Sequence, residues 1–346
     1  MTSLRRAVAL LLLLVSLLSG CGAPVPVPAP ELKQYNATFL SLFDTVTTII
    51  GKAEGEEEFR EKAQQIHDRL LVYHQLFDIY NEYDGINNLK TVNDNAGIAP
   101  VKVDSAIIDL LLDCKTYHDL TNGRVNVAMG SVLRLWHEAR KDGENDPINA
   151  YLPEMDLLEE AARHTSIEDV IIDPEASTVY LADPDIRLDV GAVAKGWSTQ
   201  RVADSLESGF LISVGGNVCA TGPKDASGTP WVVGIDDPDQ EGYLHTVYVR
   251  NESVVTSGDY QRWYVVDGEL YHHLIDPDTL YPGKYWKSVS IICNDSGLAD
   301  ALSTALFLLP LDEGQALLDQ CGAEALWLDV SGQLFYSPGF RELIKS

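Results

Sequence analysis

Residues 168–216 read EDVIIDPEASTVYLADPDIRLDVGAVAKGWSTQRVADSLESGFLISVGG. Three short runs rich in branched residues, 170–172, 178–181 and 187–190, are parted by Asp-Pro and other turn-forming residues and predict strands. The last run ends in Asp189. A glycine-bearing turn follows, and then a helix is expected over 194–206 with Lys195 in its first turn. A further strand, 210–214, runs straight into Gly215-Gly216. The unit is strand, turn, helix, strand, and the question for the fold is whether it repeats.

It does not. Upstream, 37–50 reads as one opening strand. Residues 56–80 carry Phe59, Ala63, Ile66, Leu70, Tyr73 and Phe77 at helical spacing. Asp104 opens a second long helix that Asn122-Gly123 ends. A third helix is expected over 126–141, and a short fourth starts at Pro153. Downstream, strands prevail as far as Leu274. A buried strand at 289–293, an apolar helix at 298–309, one more helix and two strands close the chain. No internal repeat and no linker interrupt the body. The expectation is a single large mixed domain of the α+β class over 35–346, not a doubly wound sheet.

The N-terminus reads separately. Arg5 and Arg6 precede an apolar run at 7–18, of signal-peptide length and short for a membrane span. Leu18-Ser19-Gly20-Cys21 then has the form of a lipobox. Residues 1–20 are expected to be a lipoprotein signal, and Cys21 to carry the lipid; an ordinary secretory signal is the other reading. Residues 21–34, with Pro24, Pro26, Pro28 and Pro30, form a semi-rigid tether. The expected location is outside the cytoplasm, lipid-anchored to the bacterial cell membrane.

The formal charge of −27 excludes nucleic acid and anionic lipid as partners of the body. A polyanionic ligand would need a local cation beside it. Cys114, Cys219, Cys293 and Cys321 are scattered without a CxxC pair, which argues against zinc. Buried free thiols are the favoured reading, with disulfides left open.

Five clusters carry polar chemistry. Asp189 to Gly196 pairs a strand end with a helix start and a lysine, which suits a phosphate or is simply a common junction. Val214-Gly215-Gly216-Asn217 allows close ligand approach or makes a tight turn. Thr256-Ser257-Gly258-Asp259-Tyr260 is a polar loop that could meet ribose or phosphate, or an Asx turn. In His272-His273-Leu274-Ile275-Asp276-Pro277 one histidine could act as general base, and alternation along a strand lets at most one face a given site. Asp300 and Thr304 lie one helical turn apart on one face, where a carboxylate and a hydroxyl can hold a hard cation.

Taken in order, these blocks resemble the ApbE family of FAD:protein FMN transferases. The resemblance also rests on Phe43-Asp44-Thr45, Tyr80-Asn81, Gly123-Arg124-Val125-Asn126 and Leu135-Trp136, and it spans 39–327. It implies an enzyme that binds FAD with Mg²⁺ and moves FMN onto a threonine or serine hydroxyl of a target protein, releasing AMP. It implies Asp300, Thr304 and the Ala192 carbonyl as metal ligands. It implies FAD contacts from Phe43, Tyr80, Arg124, Val125, Asn126, Asp189, Lys195 and Ile275, and His273 as the base. The implied acceptors are membrane redox complexes or extracellular flavin-carrying reductases. This chain departs from the family pattern at Phe43-Asp44-Thr45, where Met-Gly-Thr is frequent, and at Val127-Ala128-Met129-Gly130. It departs again at Thr279-Leu280, where Thr-Gly is usual and where a different turn shape is expected. Two other functions fit the same residues: an FAD pyrophosphatase giving FMN and AMP, and a lipid-anchored flavin-binding protein.

Overall fold

The run expected as one opening strand is two. β1 (Lys33–Leu42) and β2 (Thr45–Ala53) fold back on each other through Phe43 and Asp44, whose φ angles are 52° and 53°. Two successive left-handed residues make the turn type whose twist matches a hairpin. Aspartate tolerates that conformation and phenylalanine pays for it. The computed structural model describes residues 32–345. The expected signal segment, Cys21 and the tether up to residue 31 lie outside them. Lys33 and Gln34, expected in the tether, already belong to β1.

The next elements are α1 (Glu56–Phe77), α2 (Leu89–Asp94), β3 (Val101–Lys102), α3 (Ser105–Leu120), α4 (Gly130–Asn145) and α5 (Met155–Ala162). β4 (Val170–Asp173), β5 (Thr178–Leu181), α6 (Ala194–Ala203), β6 (Phe210–Val214) and β7 (Asn217–Ala220) follow. Then come β8 (Trp231–Asp236), β9 (Tyr243–Val249), β10 (Ser253–Gly258), β11 (Trp263–Val266), β12 (Glu269–His272) and β13 (Trp286–Cys293). α7 (Ser296–Leu308), α8 (Leu311–Cys321), β14 (Glu324–Asp329), β15 (Leu334–Tyr336) and α9 (Phe340–Leu343) close the chain.

Eight strands form one antiparallel sheet in the order β1-β2-β6-β7-β10-β13-β14-β15. Side chains alternate across it. Val255, Val289 and Ile291 face one core with α3, α7 and α8, whereas Val254 and Ile292 face a second core with β8, β9 and α9. α1 covers β1, β2 and β6 through Phe59, Ala63, Ile66 and Leu70. The hairpin β11–β12 is a separate sheet that packs Tyr264 and Val266 against Trp136 and Val132 of α4. Residues from Lys33 onward form one compact α+β unit. Among the described residues no helix is long and apolar enough to cross a membrane.

Several expected boundaries move. Helix α1 stops at Phe77 rather than residue 80, because Asp78 turns extended and its carboxylate takes the N–H groups of Tyr80 and Asn81 at 2.7 and 3.0 Å. The helix expected over 126–141 starts at Gly130: the Asn126 side chain accepts the Ala128 N–H at 2.9 Å, and Gly130 donates to the Arg187 carbonyl at 2.9 Å. Residues 187–190 are not a strand. They share a single bridge with Met129, and the Asn93 side chain takes the place of a neighbour, accepting from Leu188 N–H at 2.7 Å and donating to its carbonyl at 3.0 Å. Thr256-Ser257-Gly258 is not a loop but the end of β10.

Candidate functional site

One cavity of about 640 Å³ opens where these elements converge, a size ordinary for a small-molecule site. Its wall takes the β1–β2 turn, the end of α1, the segment before α4, the segment leading into α6, the β6–β7 turn, the approach to β11, the exit of β12, and α7. The structure places all twelve candidate residues of the body on this wall: Phe43, Tyr80, Arg124, Val125, Asn126, Asp189, Ala192, Lys195, His273, Ile275, Asp300 and Thr304.

The Asp300 corner is built by a glycine. A Cβ on Gly196 would collide with the Ser296 carbonyl and lie 2.6 Å from the Asp300 Cβ, so only glycine lets α6 and α7 approach this closely. The approach lets the Asp300 carboxylate accept the Gly196 N–H at 2.8 Å. Gly196 is the third residue of α6, so its N–H has no carbonyl partner within the helix and needs an acceptor from outside. No hydrogen bond to the Ala192 carbonyl is found among the described residues, and the second Asp300 oxygen and the Thr304 hydroxyl are equally free. Asp300 is only 3% exposed. A buried carboxylate with a free oxygen, an unpaired carbonyl and a hydroxyl one turn away make an all-oxygen donor set that fits Mg²⁺. Lys195 Nζ lies 3.6 Å from the same carboxylate and 3.3 Å from the Gly191 carbonyl.

The two histidines separate by their hydrogen bonds. His272 Nε2 donates to the Gly283 carbonyl at 2.8 Å, and its Nδ1 accepts the Leu274 N–H at 3.2 Å. Both ring nitrogens are used, and the ring is locked edge-on to Phe307. His273 Nδ1 lies 3.3 Å from the Arg262 carbonyl, which can only accept. Nδ1 therefore carries the proton, and Nε2 keeps a lone pair with no protein partner among the described residues. Burial, and after it the charges of Arg262, His272, Arg140 and Lys195, push the His273 imidazolium down to about 3. Both histidines border the cavity, against the expectation that alternation admits one; the strand ends at His272, so strict alternation does not carry on to His273.

Arg124 is spent on the turn it faces, pairing with Asp276 at 2.8 Å and Asp278 at 2.7 Å. In that turn Leu280 has φ 60° and its N–H bonds the Asp276 carbonyl at 2.8 Å. A leucine thus holds the left-handed backbone that glycine takes freely. The Gly215-Gly216 turn, φ 58° and 91°, likewise makes a tight β6–β7 hairpin, with Gly215 pressed against Thr45. Tyr80 stacks on His137, ring centroids 5.3 Å apart. The hydroxyls of Thr256 and Ser257 bond Ser290 and Ser303 at 2.7 and 2.8 Å, so the protein itself uses them.

Sequence reasoning missed several wall residues. Arg140 and Arg262 bring positive charge to an acidic molecule, and Arg140 donates to His137 Nδ1 at 3.1 Å. Asn217 is 2% exposed with its amide nitrogen unpartnered. His74 accepts the Phe43 N–H at 3.2 Å, and its other nitrogen reaches Tyr83, which donates to Asp78 at 2.7 Å. This chain of bonds holds the strained β1–β2 turn. Of these the sequence singled out only Asn217, in the block Val214-Gly215-Gly216-Asn217. A second grouping with ligand chemistry, His164, Asp183 and Asp185, lies off the cavity wall; His164 and Asp183 pair with each other at 2.7 Å.

A neutral histidine with a free lone pair, across a cavity from a hard-cation donor set, defines an α+β protein equipped for chemistry on an anionic ligand. The chain belongs to the ApbE family, whose model matches residues 43–327. The FAD:protein FMN transferase of Treponema pallidum is 34% identical over 278 residues, 74% of this chain and 75% of that protein. The protein of the same name from Klebsiella pneumoniae is 31% identical over 268 residues, 73% of this chain and 80% of that one. The crystal structure of the ApbE protein of Thermotoga maritima superposes with a TM-score of 0.80 at 28% identity, over 91% of this chain and 100% of that chain.

Proposed function

We propose that this protein transfers the FMN half of FAD to a threonine or serine hydroxyl of other proteins, with Mg²⁺, and releases AMP. The observation that carries the reading is the Asp300 corner: one carboxylate caps α6 and keeps an oxygen for a cation, and the Ala192 carbonyl on the same cavity wall is unpaired. Mg²⁺ held by Ala192, Asp300 and Thr304 would offset the charge of the FAD diphosphate. Lys195 adds a fixed positive charge beside it. The acceptor oxygen attacks the phosphorus of the FMN half, the bond to the AMP half breaks, and AMP leaves with its phosphate. His273 Nε2 takes the hydroxyl proton. Most of the acceleration comes from positioning and charge neutralisation. Phe43, Tyr80, Arg124, Val125, Asn126, Asp189 and Ile275 shape the FAD site. We also place the protein outside the cytoplasm, attached to the bacterial cell membrane through a lipid on Cys21, with membrane redox complexes or extracellular reductases as acceptors.

The test is the mass of an acceptor protein after incubation with FAD and Mg²⁺. A gain of one FMN on a threonine or serine, abolished by EDTA and by Asp300→Asn, is expected. Asn keeps an acceptor for the Gly196 N–H, so loss of transfer in a folded variant reports the cation. Free FMN and AMP with an unmodified acceptor would replace the transferase with a pyrophosphatase. Intact FAD bound tightly would leave a binding protein.

A further inference from the structure

The hairpin β11–β12 is apolar on both faces. Tyr264, Val266 and Tyr271 pack inward. Trp263, Val265 and Leu270 point the other way and are 44%, 41% and 47% exposed. Val265 and Leu270 are directly paired across the strands, with Trp263 on the same face. A hairpin with one wet face would carry polar residues there. Apolar residues gathered on such a face mark a binding surface rather than scatter.

The hairpin also has an open edge. His273 N–H donates to the Arg262 carbonyl at 3.1 Å, so 262 and 273 are a hydrogen-bonded pair. Pairs alternate in an antiparallel ladder, so Trp263 and Val265 direct their N–H and C=O groups away from β12. The β12 side is closed near the cavity, because Ile275 bridges Pro282 and Gly283 N–H bonds the Leu274 carbonyl at 2.9 Å. The β11 edge has no strand partner among the described residues. The ladder ends at Arg262 and His273, which are both on the cavity wall, while Trp263, Val265 and Leu270 are not.

We propose that the acceptor protein docks here as an extended segment along the free edge of β11, its apolar side chains on Trp263, Val265 and Leu270, which brings its hydroxyl-bearing residue past Arg262 to His273. The inference rests on the transferase reading, which requires a second polypeptide to reach the cavity. An added strand binds through main-chain hydrogen bonds and takes specificity from alternate side chains. The occupant is thus an extended, apolar-flanked threonine or serine segment.

The test compares acceptor KM and FAD affinity in the full chain. Trp263→Ser/Leu270→Ser removes the apolar face. Val265→Pro removes an outward N–H without removing a ladder bond. Both are expected to raise the acceptor KM roughly tenfold or more, the scale of one lost anchoring contact, and to leave FAD binding, read by flavin fluorescence, unchanged. An unchanged KM in both variants overturns the docking site while the transferase stands. An unchanged KM with lost binding to phosphatidylcholine vesicles overturns it in favour of a membrane contact. An acceptor that stays unmodified by the unaltered protein overturns the transferase reading and the docking site with it.

Discussion

His272 and His273 differ by one position and by everything that matters for proton transfer. The first has both nitrogens committed and the second has one free. Sequence singled out His273 through the resemblance, and the bonding pattern supplies the physical distinction that adjacency in the chain hides. The electrostatics make a prediction. Burial depresses His273 most, and Arg262 is the largest charge acting on it. A base with a depressed pKa stays unprotonated at lower pH. Transfer kcat/KM, which reports the free enzyme, should therefore show no acid limb near the ordinary histidine value of 6.5. Arg262→Gln removes a repelling cation, and so should move the acid limb upward toward neutrality. Profiles of the two proteins between pH 4.5 and 8, measured at one salt concentration, check this (about 0.15 M, where screening is moderate). A limb near 6.5 in the unaltered protein, or a limb that moves down in the variant, contradicts the assignment. Arg262 and Arg140 themselves were not legible. Both are charged residues at positions a pattern assigns to solvent, and only the meeting of α4 with the β11 approach half-buries Arg140 and sets the exposed Arg262 at the cavity wall.

At the scale of elements, the residues with strong periodicity gave α1, α3 and α7 within a few positions, because buried apolar spacing is what a helix is made of. The failures have another cause. Segments 126–129 and 187–190 look regular but bond to each other and to the Asn93 side chain, which no local pattern encodes. Both lie against the cavity, where backbone left out of regular structure is free to meet a ligand. The contact between α6 and α7 was half legible: Gly196 was noted in a turn-like block, but its collision partner, Ser296, is far away in sequence. Gly196→Ala should lower stability by ~1–3 kcal/mol, the usual cost of overpacking, and push Asp300 out of register with α6. The expected result is a reduced denaturation midpoint together with weaker Mg²⁺ dependence of transfer. Gly55→Ala, where an added Cβ meets nothing within 4 Å, is the control and should cost no more than the change of N-cap residue on α1, under about 1 kcal/mol, with the Mg²⁺ dependence unchanged. A Gly196→Ala protein as stable and as active as the control would show that the helices separate at no cost.

At the scale of the whole molecule, composition indicated an acidic α+β body, and topology decided what its cysteines can do. Cys219 and Cys293 both pair with Ser253, from opposite sides, across β7, β10 and β13. Two strand spacings put their Cα atoms roughly 10 Å apart, beyond the reach of a disulfide. Cys114, on the buried face of α3, lies in the core, and burial pushes its thiol far up, away from the reactive thiolate. Cys321, at the end of α8, is partly exposed. Location outside the cytoplasm would favour oxidation of any pair able to meet, so free thiols there test the fold as much as the chemistry. Four thiols in the described body are expected to react in denaturant, without reductant, in the purified protein. Under native conditions Cys321 should be alkylated first and the three buried thiols only on the timescale of unfolding. A Cys219–Cys293 disulfide would mean that the sheet order is wrong, and fast native labelling of Cys114 that the packing of α3 against the sheet is wrong.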